Sequence, residues 1–479
     1  MTAAQSGATG DKGRVLSGKV VVVGAGITGL SAAWELAKAG CTAITVVETS
    51  DATGGKVATG TLGGAWFNEG PDAFVARGGV VRSLCSELGL DEKLISPGTS
   101  QAWCFTRGKL RPYPANTLLG VPTRVGKLMA ADLLSPLGRL RALADLVLPG
   151  STLDNDEALA SLLRRRLGRE ASEAMVEPLV AGINAARATH ASVQATAAPI
   201  AAAARRSRSL ILGAKAVVKQ TRASNGPVFL GLDGGMATLT TTLETALEEA
   251  GVCILRSWEA IGIDRSKQGW RLVGKDRDID ADAVLLACPA KAAARILSTL
   301  APAMSELLAT IDYASVASIG LSYPASAVPS LPPGSGFLVP ATEGTTISAC
   351  TFVGQKWPQL GRKDRVLLRA FVGRAGESRA LDSTDAELIE KVHADLARIL
   401  GLQGPPDDAV VTRWPVGLPQ YQVGHLSLAG TVHKELRSLG ALDMAGAALD
   451  GVGIAACIES ARRGSEHVAA RLAAMAQSG

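Results

Sequence analysis

Long apolar runs are missing from this chain. The Ala-rich stretch 191–204 carries a proline, and 313–342 is broken by proline and glycine, so neither supplies the roughly 18 continuous apolar residues of a membrane-spanning helix. The start, MTAAQSGATGDKGRVLSGK, lacks the basic head and apolar centre of a secretory signal and reads as a flexible tail over residues 1–16. A cytoplasmic location is the expectation. Aromatic residues make up only 4% of the chain and its Lys and Arg residues are dispersed, which excludes the stacking platforms and basic grooves of nucleic-acid binders. The seven cysteines stand far apart with no C-x-x-C pair, so they read as buried thiols in a reducing compartment. Of the five histidines, His190, His393, His425, His433 and His467, none forms a pair at helical metal-binding spacing; His425 and His433 read as loop residues. No metal site is expected.

What the chain does have is hydrophobic mass: 47% of 479 residues, enough for about two to three domains. Its net charge of +5 favours anionic small molecules over nucleic acid. The richest local pattern comes first. A β-branched run at 19–23 enters Gly24, Ala25, Gly26, Ile27, Thr28 and Gly29, followed by the helix-prone LSAAWELAKAG and a second apolar run at 43–47 that closes on Glu48. This is a βαβ unit with a G-x-G-x-x-G turn. Its glycines permit a tight turn, backbone approach to a pyrophosphate and close helix packing, while the helix start offers N–H groups to phosphate. Glu48, nineteen residues beyond Gly29, is placed to accept hydrogen bonds from ribose hydroxyls and to repel a 2′-phosphate.

From 112 to 208 the texture is rich in Leu, Ala and Arg with helical spacing. Strand-like stretches return at 227–232, 252–255, 270–273 and 283–287, then at 316–321, 336–340, 345–352 and 366–372. Residues 382–402 have helical period, and the last fifth reads as strand, glycine turn and long helix. The triplet Arg164, Arg165, Arg166 and the cations Arg205, Arg206, Arg208, Lys215 and Lys219 around LILGAKAVV read as the charged face of buried helices; peripheral membrane contact is the competing reading.

A second glycine pair, in ETSDATGGKVATG, follows Glu48, and with the first turn it resembles the FAD signature of amine-oxidase-like flavoproteins. The segments FNEGPDAFVAR, LVAGI, VFLGLDGGMATLTTTL, VLLACPAKAAARIL, GFLVP, KWP, LPQYQVGH and LDGVGIAACI extend the likeness from Val20 to Val468. The chain thus resembles the oxygen-dependent protoporphyrinogen and coproporphyrinogen III oxidases of haem biosynthesis, with GGK closer to the bacterial coproporphyrinogen type. The resemblance implies an α/β fold: a discontinuous Rossmann-like FAD-binding domain (17–85, 209–300, 406–479), a mixed-sheet substrate domain (86–111, 301–405) and a helical insertion (112–208). It implies FAD contacts at Gly24, Ala25, Gly26, Ile27, Thr28 and Gly29 for pyrophosphate, at Glu48 for ribose, and at Thr49, Gly55 and Lys56. It further implies Gly70, Pro71, Asp72 and Ala73 along the flavin ring, the Trp258 backbone near adenine, Trp414 near the flavin, and Val452, Gly453 and Ile454 at a helix start.

The reaction so implied removes hydride from a methylene bridge and protons from pyrrole nitrogens, with O2 as final acceptor and H2O2 as product over three flavin cycles. It needs no side-chain nucleophile, and no catalytic residue is assigned. His425 reads as a satisfied structural histidine. Lys56, Arg77 and Arg107 are candidates for pairing with substrate propionates. The loop after LVAGI reads NAARATHASVQAT where a tyrosine and an acidic residue are usual, which leaves its substrate contacts open. Transfer of product to a ferrochelatase is an implied partnership. Protoporphyrinogen IX oxidation, another amine-oxidase-type activity and a non-catalytic flavoprotein are the competing functions.

Overall fold

The computed structural model describes residues 16–478 except 131, 151, 222–225 and 268. The expected tail lies outside the described residues save Leu16, which is buried at the start of the first strand.

Leu16–Val23 is the middle strand of a five-stranded parallel sheet. Its neighbours are, on one side, Cys41–Val47 and then Cys253–Leu255, and on the other Ala283–Leu286 and then Leu442–Met444. The run 20–23 is apolar throughout because both faces of the strand are covered. Val20 and Val22 pack under the helices Ile27–Lys38, Ala237–Glu249 and Ile454–Ser478. Val21 and Val23 point the other way, into a core shared with a three-stranded antiparallel layer over 260–281 and with the helices Ala290–Leu297, Pro302–Ala309 and His425–Ser438. Segments hundreds of residues apart thus become adjacent strands and cover one another.

A seven-stranded mixed sheet stands beside it, in the order Asp408–Pro419, Tyr313–Pro324, Arg365–Val372, Ile347–Phe352, Gly336–Leu338, Trp103–Thr106 and Lys109–Pro112. Only the Gly336–Leu338 and Trp103–Thr106 pair is parallel. Leu388, Val392 and Leu396 of the helix Asp385–Leu400 pack on this sheet, and a Thr384–Glu387 capping box starts that helix.

Three expected boundaries move. Asp408–Pro419 was assigned to the nucleotide-binding unit, but it pairs along its length with Tyr313–Pro324 as an edge of the seven-stranded sheet. Leu308 and Ile311 belong to the core of the parallel sheet rather than to the second domain. The helix Leu210–Thr221 belongs to the helical lobe, where Leu210, Ile211 and Ala214 are buried. Its attachment has a polar cause. The fully buried Asp145 accepts hydrogen bonds from Arg166 Nε (2.7 Å), Ser209 Oγ (2.7 Å) and the N–H groups of Leu210 (3.1 Å) and Ile211 (2.9 Å), so one carboxylate caps the helix and neutralises an internal arginine. Arg166 therefore points inward, while Arg164 and Arg165 pair at the surface with Glu173 and Glu157.

His425 and His433, expected in a loop, lie on the helix His425–Ser438. Its buried positions, His425, Ala429, Val432 and Leu436, do follow helical spacing. With a histidine and an alanine opening that face, and Gly424 in the left-handed region just before it, the apolar stripe is too thin to register in sequence.

Candidate active site

The first strand ends at Val23, and the chain turns through Gly24 (φ 108°) into the helix Ile27–Lys38. A Cβ at Gly29 would stand 1.7 Å from the Gly24 carbonyl oxygen, so helix and turn touch only because that atom is absent. Gly26 is different. It is extended, no side chain caps the helix that follows, and a Cβ there would meet nothing within 4 Å. The helix start therefore opens on free space with its first N–H groups unclaimed by the helix, the arrangement that takes a phosphate.

Glu48 stands at the end of the next strand. Its carboxylate accepts from Ala25 N–H at 2.7 Å and Ser50 N–H at 2.9 Å, which fixes it beside the turn and leaves lone pairs for ligand hydroxyls. Thr49 beside it is exposed. Trp258 donates its backbone N–H to the Glu48 carbonyl at 2.8 Å, while its indole is 6% exposed in the core. Any contact from Trp258 to an adenine is thus a backbone one.

The second glycine pair closes on the first turn. Gly54 N–H donates to the Ala25 carbonyl at 2.8 Å, and a Cβ on Gly55 would lie 3.4 Å from Gly26 Cα. Gly70 approaches from the other side, with room for no Cβ: one would stand 1.7 Å from the Lys56 carbonyl oxygen. Lys56 is exposed beside this junction; lost hydration lowers its ammonium pKa, opposed by the nearby Cys457 sulfur. Burial pushes the Cys457 thiol up, while Thr28 and Lys56 beside it act against the rise. Gly446 completes the junction: a Cβ there would sit 2.9 Å from Thr28 Oγ1. Gly453, just before the helix Ile454–Ser478, has open space like Gly26, with Val452 half-buried and Ile454 buried beside it. Two helix starts, from opposite ends of the chain, thus meet at one junction, where Gly446 packs on Thr28 and Cys457 lies beside Thr28 and Lys56.

Along Gly70, Pro71, Asp72 and Ala73, all half-buried, the structure adds partners that sequence reasoning missed. Lys356 Nζ meets Asp72 Oδ2 at 2.7 Å. Burial pushes the Asp72 carboxyl up, but Lys356 and Arg369 outweigh it and hold the group below its usual range. The Asp72 side chain therefore anchors the segment. Arg369, only 3% exposed, donates to the carbonyls of Glu69 and Gly70 and to Ser318 Oγ, with burial lowering its pKa to about 10. Trp414 Nε1 reaches the same Glu69 carbonyl at 3.4 Å, which places the tryptophan beside the Gly70 segment. A lone arginine inside the strand VLLRAFV was the available signal for Arg369, because a buried charge must have partners.

His425 is 4% exposed, stacks on Tyr421 at 4.1 Å and has Nε2 within 3.0 Å of the Leu449 carbonyl; burial lowers its pKa. It is a neutral packing residue. Arg107 donates to the Asp132 carbonyl in the turn between Trp103–Thr106 and Lys109–Pro112, on the sheet edge opposite Trp414, which removes it from the propionate candidates. Arg77 is exposed before the helix Val80–Glu87. No group of three or more His, Cys, Asp or Glu side chains among the described residues could hold a metal ion, and no helix among them is long and apolar enough to cross a membrane.

A parallel sheet with a glycine turn at a helix start, a carboxylate fixed beside that turn and a second helix start packed at the same junction defines a dinucleotide-dependent oxidoreductase of the flavin type. The family model for flavin containing amine oxidoreductases matches residues 27–469, and the chain belongs to that family. The chain is 33% identical to the coproporphyrinogen III oxidase of Bacillus subtilis, over 92% of this chain and 96% of that one. It is 28% identical to bovine protoporphyrinogen oxidase, over 94% and 98%. Among solved structures, an Exiguobacterium protein named for protoporphyrinogen oxidase superposes with a TM-score of 0.83 at 31% identity, covering 95% of this chain and all of that one. The cofactor is FAD, and the residues fit it: open space at Gly26 and Gly453, Glu48 fixed beside the turn, and Lys56 close to Cys457 of the second helix.

Proposed function

We propose that the protein oxidises coproporphyrinogen III to coproporphyrin III in haem biosynthesis, with O2 as electron acceptor and H2O2 as product. The observation that carries this reading is the likeness, over nearly the whole of both chains, to a protein named coproporphyrinogen III oxidase. Six electrons and six protons leave the macrocycle, so three O2 accept them as three H2O2. FAD supplies the two-electron acceptor at each round.

The chain's own residues bind and orient. The turn Gly24, Ala25, Gly26, Ile27, Thr28 and Gly29 takes the pyrophosphate and Glu48 the ribose, with Thr49 and the Trp258 backbone on the adenine side. Gly55 and Lys56 form the middle of the cleft. Gly70, Pro71, Asp72, Ala73 and Trp414 border the flavin ring, and Val452, Gly453 and Ile454 present N–H groups to its carbonyl edge. Lys56 and Arg77 are the cations proposed for substrate propionates.

The finer surroundings are part of the same reading: a cytoplasmic protein that hands its product to a ferrochelatase. Peripheral membrane contact by the helical lobe is supported by the exposed Leu137, Leu140 and Val147, at 79%, 65% and 79%, and by the exposed Arg205, Arg208, Lys215 and Lys219.

The test compares initial rates of porphyrin fluorescence from coproporphyrinogen III and protoporphyrinogen IX, with peroxide measured in parallel and a heat-inactivated control. Faster turnover of the first substrate is expected. Faster turnover of the second supports the alternative, for which the bovine relative's name speaks. Bound FAD with neither substrate turned over overturns both.

A further inference from the structure

The flavin-facing turn before the last helix is wired to a histidine that no part of the proposed site uses. His433 Nδ1 lies 3.0 Å from Asp443 Oδ1, and its Nε2 lies 3.2 Å from Asp450 Oδ1. An ionised carboxylate only accepts, so both hydrogen bonds exist together only when both ring nitrogens carry protons. The ring sits between them as an imidazolium, and the two carboxylates raise its pKa to about 9.

Each carboxylate is anchored elsewhere. Asp443, fully buried at the end of the parallel sheet, also accepts from Arg437 Nε and from Met444 N–H, both at 2.8 Å. Asp450 accepts from Ser460 Oγ and pairs with Arg463 at 3.3 Å, and the same Ser460 Oγ accepts from Gly446 N–H at 2.7 Å. On the far side of Asp443, His467 approaches the Gly440 carbonyl and Arg471 donates to that of Arg437. Gly446 abuts Thr28 of the pyrophosphate helix, and Asp450 directly precedes Gly451, Val452 and Gly453. A negative charge there opposes the positive end of the helix Ile454–Ser478.

We propose that His433 is a positioning residue for the flavin: it ties the turn 450–453 to the parallel sheet and, with Arg463, offsets the Asp450 charge, so that the helix start at Ile454 favours the electron-rich, reduced cofactor. The inference rests on the proposed placement of the flavin edge at Val452, Gly453 and Ile454. Loss of one unit of positive charge beside the flavin edge, acting through partly screened protein, changes the relative affinity for reduced and oxidised flavin about tenfold.

The experiment is the midpoint potential of FAD in the purified holoprotein at pH 7.5, by reduction against a reference dye. His433→Gln is expected to lower the preference for reduced over oxidised flavin about tenfold, a shift of about −30 mV for a two-electron couple. Asp450→Asn alone, which removes one negative charge while Asp443 still holds the imidazolium, shifts it the other way, and the double variant returns to within about twofold of wild type by charge balance. Unmoved potentials in either folded single variant, even with a lowered Tm, overturn the proposal and leave a structural clamp. Should His433→Gln fail to fold, Asp450→Asn decides alone. A wild-type protein that binds no FAD overturns the placement of the site instead.

Discussion

The backbone N–H of Ala25 donates to Glu48 Oε2 at 2.7 Å, so the glycine turn and the carboxylate proposed for the ribose are held together before any ligand arrives. Glu48→Gln keeps the shape and removes the charge. We expect FAD affinity, titrated into apoprotein by flavin fluorescence, to fall about tenfold, or about 1.4 kcal/mol, as charge-assisted hydrogen bonds weaken. An unchanged affinity would contradict the ribose role.

Gly26 and Gly29 separate binding from folding. Gly29→Ala drives a Cβ into the Gly24 carbonyl, and the expected cost is about 3 kcal/mol of stability. Gly26→Ala meets nothing in the protein, so Tm of the apoprotein should hold while FAD affinity drops at least about tenfold through the lost phosphate space. Equal behaviour of the two variants in thermal melts and FAD titration would defeat this division.

The Asp145–Arg166 pair holds the helical lobe together. Asp145→Asn strands a buried guanidinium and weakens the cap on Leu210–Thr221, at an expected cost of about 3–5 kcal/mol. Urea unfolding is the measurement. A loss under about 1 kcal/mol would place the pair among those that surface water already screens.

Stability should fall with alkaline pH through His433. Its folded pKa, about 9, lies above the usual histidine value, so its contribution is complete below pH of about 6.5 and lost as pH rises through 9. The gap in Tm between wild type and His433→Gln is therefore expected to be largest at pH 6 and to close by pH 10. A constant gap across that range would mean the ring is neutral throughout.

Binding of the helical lobe to vesicles containing anionic lipid is expected at low salt and should weaken on screening. Leu137→Asp with Leu140→Asp should abolish co-sedimentation without lowering Tm, since both side chains are exposed. No sedimentation of the wild type at low salt removes the membrane contact and leaves the charged-face reading of this lobe.

The residues 16–48 illustrate what contiguous sequence can determine. A β-branched run, three glycines at fixed spacing, a helix-forming stretch and a terminal carboxylate are local features, and each acts through its nearest neighbours in the chain. The first two strands of the parallel sheet, the helix between them and the glycine turn follow from them, whereas the other three strands come from Cys253–Leu255, Ala283–Leu286 and Leu442–Met444. The binding surface beyond that turn was decided by tertiary structure. Lys356 meets Asp72, Arg369 meets Gly70, and Gly446 and Cys457 meet Thr28 and Lys56, all across hundreds of residues. The helix His425–Ser438 was hidden for the same reason, since its buried face is partly histidine and gains its meaning only from Asp443, Asp450 and Leu449. Hydrophobic period records burial, but a buried polar side chain is specified by its partner, and that partner's position exists only once the chain has folded.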